Sequence, residues 1–315
     1  MKLAIAFTSL AALCAASPAR AAITFYDIFY TSFYTQNDAA PPATPDLHVF
    51  ATRVLTDDPA DLASASLAVP GGPFVYNLFP VAPTYYLAVR NFASVPAMEL
   101  AFPAGTYTHS ISGGNLGAAS ASLARPAGLF FCDEIPAFDA ASFDTLAAFP
   151  ATQDVALGFS SFTRPAAADT AVTFLTIFDS LGSIVFNAVE PGESTTEITI
   201  PAGTLEPGAS YRVTLYFSSR IQIAEAGFGS ATSIVGCDRA TSATISTVPA
   251  CPGDFNADTF VDDADFVIFA PAYNLLDCAD PAMPAGCPAD LNADGFVDDA
   301  DFVIFAAAYN DLVCP

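Results

Sequence analysis

The strongest constraint on this chain lies in its last 65 residues, where one stretch is written twice. Cys251 to Cys278 reads CPGDFNADTFVDDADFVIFAPAYNLLDC and Cys287 to Cys314 reads CPADLNADGFVDDADFVIFAAAYNDLVC, identical at 22 of 28 positions with an offset of 36. Residues 251–315 hold thirteen Asp and no Glu, Lys or Arg. Acids this dense repel one another unless a cation gathers them. Each copy sets oxygen donors at the spacing D-x-N-x-D-x-x-x-D-x-x-D, the order of a calcium loop. In the first loop the expected ligands are Asp254, Asn256, Asp258, the backbone carbonyl of Phe260, Asp262 through a water, and Asp265. In the second they are Asp290, Asn292, Asp294, the carbonyl of Phe296, Asp298 and Asp301. Calcium takes about six to eight such oxygens, and neither loop contains the His or Cys that a softer metal prefers. Two Ca2+ ions are expected.

After each loop, Phe266, Phe269 and Tyr273, and likewise Phe302, Phe305 and Tyr309, fall at i, i+3 and i+7, one face of a helix. Before each loop stands Cys-Pro-Gly or Cys-Pro-Ala, with no room for an entering helix. A duplicated loop and exiting helix of this kind resembles the dockerin domain, the calcium module that plugs secreted proteins into cohesin modules. The resemblance implies a cohesin-like extracellular partner, read in that family at loop positions 10 and 11, here Asp263-Ala264 and Asp299-Ala300. This chain departs from the family there, because many members carry hydroxyls at those positions. The usual basic residue further along the helix is missing as well. Thr259 also replaces the turn glycine that Gly295 supplies in the second loop, and Pro271 stands where the second helix has Ala307. The proline predicts a kink or stop near Ala270. Each repeat is bracketed by cysteines 27 residues apart, which predicts the pairs Cys251–Cys278 and Cys287–Cys314 out of three possible pairings.

The other end of the chain sets the compartment. Met1 to Ala21 has an early cation (Lys2), an apolar run from Leu3 to Ala16 and a small-x-small site at Ala19-Arg20-Ala21, the parts of a secretory signal peptide over residues 1–21. The protein is therefore expected to be secreted, in the extracellular medium or at the cell surface, and not membrane-spanning, since no later segment offers about 20 uninterrupted apolar residues. Beyond residue 21 there is no Lys, and seven Arg face 33 Asp and Glu, a net charge of −26. That excludes a nucleic-acid partner, which needs clustered bases. Six cysteines remain after the leader, an even number that favours disulfides in an oxidising compartment, with Cys132–Cys237 a further candidate pair.

Between Ala22 and Val248, short alternating runs of aromatic and β-branched residues are broken by Pro, Gly and Asn, which reads as antiparallel strands throughout. The clearest are Ile23 to Tyr30, Tyr85 to Val89, Ala171 to Phe178, Ser183 to Asn187, Thr196 to Ile200 and Tyr211 to Phe217. Leu205-Glu206-Pro207-Gly208-Ala209-Ser210-Tyr211 puts a Pro-Gly turn before a Tyr that opens a strand, and it resembles the tyrosine corner of immunoglobulin-like and fibronectin-type sandwiches. A weaker copy runs from Phe102 to Thr108 around Tyr107. The phrasing of these segments also loosely resembles repeat domains of uncharacterised exported bacterial proteins. The fold class expected is mainly β: two tandem immunoglobulin-like β-sandwiches (22–120 and 121–247), then a small α-helical dockerin-like domain (248–315) with two calcium loops. One larger sandwich with two similar corners is the alternative.

The functional reading is a secreted, non-catalytic surface or matrix protein tethered through its calcium tail. The alternative is a carbohydrate-binding or polysaccharide-degrading component delivered by the same tail. A hydrolase is disfavoured, because Asp133 and Glu134 are adjacent, and neighbours on a strand point to opposite faces, whereas a glycosidase needs two carboxylates across a cleft. His48 and His109 have no nucleophile motif beside them, and no catalytic residue is assigned. Tyr85-Tyr86 offers a stacking platform for a polysaccharide, with one ring expected in the core.

Overall fold

The computed structural model describes residues 22–127, 134–223, 228, 231–248, 251–256, 258–292 and 294–312. The expected leader (1–21), Asp133, Cys132 and Cys314 lie outside these, so the expectations placed on them, including the Cys132–Cys237 pair, do too. The chain divides into two compact units. One draws on residues 1–149, 153–204 and 210–246, and the other on 150–152, 205–209 and 247–315. Among the described residues no helix is long and apolar enough to cross a membrane.

The first unit is mainly β. Its strands are β1 (Ile23–Thr35), β2 (Leu47–Thr56), β3 (Ser64–Ala68), β4 (Val75–Ala82), β5 (Tyr85–Phe92), β6 (Gly105–Ser112), β7 (Ala119–Arg125), β8 (Val155–Gly158), β9 (Thr170–Phe178), β10 (Ile184–Pro191), β11 (Glu197–Ile200), β12 (Ser210–Ile223) and β13 (Thr232–Ser246). Every strand segment expected from the sequence lies wholly or largely within one of these. Two short helices, α1 (Val95–Ala101) and α2 (Ala140–Ala147), interrupt a region expected to be strands alone. Each starts on a side-chain cap: Ser94 accepts from Ala97 N and Asp139 accepts from Ser142 N. Ser-Val-Pro and Asp-Ala-Ala are local helix starts that alternation counting overlooks.

Eleven strands join one sheet in the order β10-β9-β12-β13-β1-β2-β5-β4-β3-β6-β7, and β8 pairs with β11 in a second, two-stranded sheet. The expected border at residues 120 and 121 meets a continuous ladder instead. β1 pairs in parallel with β13, Phe25 opposite Thr232 through to Thr35 opposite Ser242, while its other edge pairs antiparallel with β2. The length of β1 permits this, since its 13 residues bury both faces over most of the strand. On one face Tyr26, Ile28 and Tyr30 enter a core with Phe50, Val54, Leu67, Tyr107 and Leu123. On β12 and β9, Val213, Leu215, Phe217, Leu175 and Ile177 are buried, and Phe162 stacks on Phe217 with centroids 4.4 Å apart. The Tyr107 corner closes as its turn suggested: the hydroxyl donates to Pro103 O at 2.7 Å and lies 2.8 Å from the Tyr30 hydroxyl. Burial pushes Tyr107 up to about 12.

The second unit carries two helices, α3 (Asp263–Leu275) and α4 (Asp299–Asp311). Both are 13 residues long, so α3 does not stop at Ala270. Pro271 removes one N–H, but the turn beyond it is held from outside the helix: Ala272 is buried, and Leu276 N donates to Ala272 O while Leu276 O accepts from Val297 N at 2.8 Å. Tertiary contacts outweigh the lost bond here.

Candidate metal centre

Each loop is organised by its own carboxylates before any ion is considered. In the first, Asp254 Oδ1 accepts from Asp258 N (3.1 Å) and Oδ2 from Thr259 N (3.0 Å). Asn256 Oδ1 accepts from Asp258 N (2.9 Å), and Asp258 Oδ1 from Phe260 N (2.9 Å). Asp265, wholly buried, accepts from Phe255 N (2.7 Å), Asn256 N (3.1 Å) and Asp262 N (3.0 Å). The second loop repeats the pattern: Asp290 accepts from Asp294 N (3.1 Å) and Gly295 N (2.9 Å), Asn292 from Asp294 N (2.9 Å), and Asp294 from Phe296 N (3.0 Å). Buried Asp301 accepts from Leu291 N (2.7 Å), Asn292 N (3.0 Å) and Asp298 N (2.9 Å). No corresponding pair differs by more than 0.1 Å. Two loops that differ at position 2 and at the turn therefore take one shape.

That shape fits a hard cation. One carboxylate oxygen from each of Asp254, Asp258 and Asp265 lies within 4.8 Å of the others, a separation that oxygens about 2.3–2.6 Å from a shared calcium can span. Asp262 and Asp298 serve first as helix caps, accepting from Ala264 N and Ala300 N at 2.8 Å and completing capping boxes with Asp265 and Asp301. The twelfth residue of each loop thus ties the loop's entry to the first turn of its helix. Thr259 adopts φ +73° and Gly295 φ +92°, so the β-branched residue is held in the left-handed region that glycine enters freely.

The two repeats also exchange contacts. Val261 N donates to Leu312 O at 3.2 Å and Val297 N to Leu276 O at 2.8 Å, so each loop meets the end of the other helix. Tyr309 donates to Asp263 Oδ1 at 2.6 Å and Tyr273 donates to Asp299 Oδ1, which raises both phenols chiefly through those hydrogen bonds. Phe269 and Phe305 stack at 5.0 Å in the middle, with Phe255 against both, whereas Phe266 and Phe302 stay half exposed at the margin of the expected face. The crossed tyrosines were not expected from the sequence. Their signal was the i+10 spacing from Asp263 and Asp299 in each copy, which only the pairing of the copies makes meaningful.

The cysteines correct the expected pairing. Cys278 is bonded to Cys287, with Cα atoms 5.5 Å apart, so the bridge joins the end of one repeat to the start of the next and excludes Cys251–Cys278 and Cys287–Cys314. Cys278 N donates to Gly295 O at 3.1 Å, placing the end of the first repeat beside the second loop, where Cys287 begins. Cys251 is disulfide-bonded as well. Cys278, Cys287 and Asp290 converge, but both sulfurs are spent in the bridge and offer no thiolate to a soft metal.

In the first unit, His48 Nδ1 is hydrogen-bonded to Ser32 Oγ at 2.8 Å and His109 Nε2 to Thr52 Oγ1 at 2.7 Å. Burial lowers both, His109 to about 3, and each ring is bonded here to a buried hydroxyl with no carboxylate among these partners. Tyr86 points into the core, donating to Leu62 O, while half-buried Tyr85 takes the opposite face.

No family model matches the sequence, and no curated protein does. Among solved structures, the FN1–FN3 domains of chicken CNTN1 align over 69% of this chain and 65% of theirs at 9% identity and a TM-score of 0.24. The BSP domain of a biofilm-associated protein aligns over 70% of this chain and 29% of its own at 15% identity and a TM-score of 0.19. The chain spans less than two thirds of either.

Proposed function

We propose that the second unit is a dockerin-like module with one calcium ion in each loop, and that it tethers a secreted, non-catalytic protein to an extracellular partner of cohesin type, with the first unit acting as an immunoglobulin-like spacer. The observation that carries the reading is the bond-for-bond match of the two loops in a segment with no base of its own to neutralise thirteen Asp. Calcium would be held by Asp254, Asn256, Asp258, Asp262, Asp265 and the Phe260 carbonyl, and by Asp290, Asn292, Asp294, Asp298, Asp301 and the Phe296 carbonyl. It supplies charge that lets the carboxylates stay together.

Exposed apolar residues come in matched pairs, Val267 with Val303, Phe260 with Phe296 and Leu276 with Leu312, and Asp263-Ala264 repeats as Asp299-Ala300. A partner can therefore grip either copy after a half-turn, through a surface that accepts acidic side chains. The test is attachment. Intact protein should sediment with the surface fraction of the producing cells in calcium and be released by chelator, while protein lacking residues 247–315 should stay folded and unattached. If the truncated protein remains bound, attachment belongs to the first unit.

A further inference from the structure

The face of the large sheet opposite the aromatic core carries a cluster of four charged groups, of which Asp27, Arg53 and Asp238 are buried and Arg220 is half-buried. Asp27 and Arg53 face each other across β1 and β2, Asp27 accepting from Arg53 Nε at 2.6 Å, from Nη2 and from the backbone N at 2.9 Å. Asp238 on β13 accepts from Ser218 Oγ at 2.6 Å, and Arg220 lies two residues along β12 from that serine, its Nε donating to the same oxygen at 3.0 Å. The Phe29 ring has Arg53 at 5.0 Å and Arg220 at 5.8 Å from its centroid. Gly236 makes room for it, since a Cβ there would stand 2.1 Å from the ring. Two carboxylates and two guanidiniums leave the cluster without net charge.

A pocket of about 20 Å³ opens onto this cluster, with Arg53 and Asp238 among its polar lining and Phe29, Phe33, Tyr85 and Leu87 among its walls. About 10–15 Å³ of such volume holds one water, so this one admits a single small polar group and the carbon that bears it. An incoming carboxylate or ammonium would unbalance a buried neutral cluster at the cost of an unpaired ion. A hydroxyl suits it, because it donates to Asp238 and accepts from a guanidinium in one group. Beyond the mouth the same face continues across β4, where Phe79 pairs with Leu87 and is 65% exposed. A flat apolar ring beside a slot for one hydroxyl-bearing carbon matches the surface of a sugar ring, whose C–H faces stack while its hydroxyls bond. A net charge of −26 on the chain beyond its leader opposes polyanions.

We propose that this face of the sheet binds neutral polysaccharide, with a hydroxymethyl or ring hydroxyl between Asp238 and Arg53, the carrying sugar against Tyr85 and its neighbour on Phe79. The site lies wholly in the first unit and owes nothing to calcium, so it goes beyond the tethering role. The test is affinity electrophoresis and calorimetry of the full chain with a mixed-linkage β-glucan, a mannan, an α-glucan and polygalacturonate, each in calcium and in chelator. At least one neutral glycan should retard the protein equally in both conditions, and polygalacturonate should not. Phe79→Ala, at a largely exposed ring, should weaken that binding about tenfold, and Tyr85→Ala should abolish it with the circular dichroism unchanged. Three results would each overturn the proposal: no neutral glycan bound, binding unmoved in both variants, or binding lost in chelator. The last would assign the sugar to the tail and leave the tethering test separate.

Discussion

The two units bury carboxylates in opposite ways. In the first, Asp27 and Asp238 have Arg53 and Arg220 beside them on neighbouring strands, cations of the chain itself that offset part of the cost of burial. In the second, Asp265 and Asp301 are just as buried, yet their partners are backbone N–H groups only, and no Lys or Arg exists between residues 251 and 315. Hydrogen bonds satisfy lone pairs without cancelling charge. The first arrangement has cations of its own; the second leaves a deficit that a divalent ion would fill. Removing calcium should therefore separate the units. In chelator, the α3 and α4 signal in far-ultraviolet circular dichroism should collapse while the strand signal persists, and calorimetric titration back should show two steps. Asp265→Ala and Asp301→Ala should each delete one step. A tail equally helical in chelator would contradict the comparison.

The first unit has its own dependence on protons, and two groups act in opposition. His109, held to about 3 by burial against an ordinary 6.5, is protonated in the unfolded chain first, so stability falls as pH drops from about 6.5 towards 3. Asp238, raised by burial from 3.8 to about 6, is protonated in the folded chain first, so stability rises as pH drops from about 6 to 3.8. Between pH 4 and 6 the two largely offset each other. Asp238→Asn should unmask the His109 loss, so that melting temperature declines steeply from about pH 6, by an amount equivalent to several kcal/mol at pH 4. His109→Gln should do the reverse and flatten or invert the slope. Melting curves across pH 3–8 at saturating calcium, read on the strand signal, distinguish these; parallel curves for all three proteins would refute the assignment.

The bridge between repeats offers an effect of intermediate size. Cys278–Cys287 closes a separation of nine residues beside the second loop. Removing a short-loop disulfide costs about 2–3 kcal/mol. Cys278→Ser with Cys287→Ser should lower the tail's calcium-loaded melting point and weaken the second site more than the first. Non-reducing peptide mapping should recover Cys278 with Cys287, and finding Cys278 with Cys251 would reject the bridge itself.

The tail was the more legible unit because its chemistry is local. Ligand spacing and helix start lie within the 12 residues of each loop, the second copy follows at an offset of 36, and hydrogen bonds such as Asp258 N to Asp254 obey the loop spacing. What stayed hidden were relations between copies: the crossed tyrosines and the bridge depend on how the repeats pair, which no single repeat encodes. The sheet shows the same limit over greater distance. Alternation located β1 and β12 as strands, but a parallel ladder of β1 with β13 joins residues some 200 apart in sequence, and two-faced burial leaves little period-2 pattern to assign a partner. Asp27 and Arg53 were not singled out in the sequence, since the pocket above them depends on five strands at once.

The smallest effect isolates the two loops themselves. Within the 12 residues they differ at position 2, Phe255 against Leu291, and at the turn, where Thr259 holds φ +73° and Gly295 φ +92° with the same carboxylate bonds around them. A non-glycine residue pays about 1–2 kcal/mol for that region, which corresponds to roughly 5- to 30-fold in affinity. Thr259 N nonetheless keeps its 3.0 Å bond to Asp254, so the strain is borne by the loop and not relieved by opening it. The second site should therefore be the tighter one. Thr259→Gly should strengthen the first site until the two calorimetric steps approach each other, and Gly295→Thr should weaken the second by a similar factor. If both substitutions leave the steps unmoved, the turn residue is not what separates the loops, and the difference must come from Phe255 against Leu291 or from Pro271.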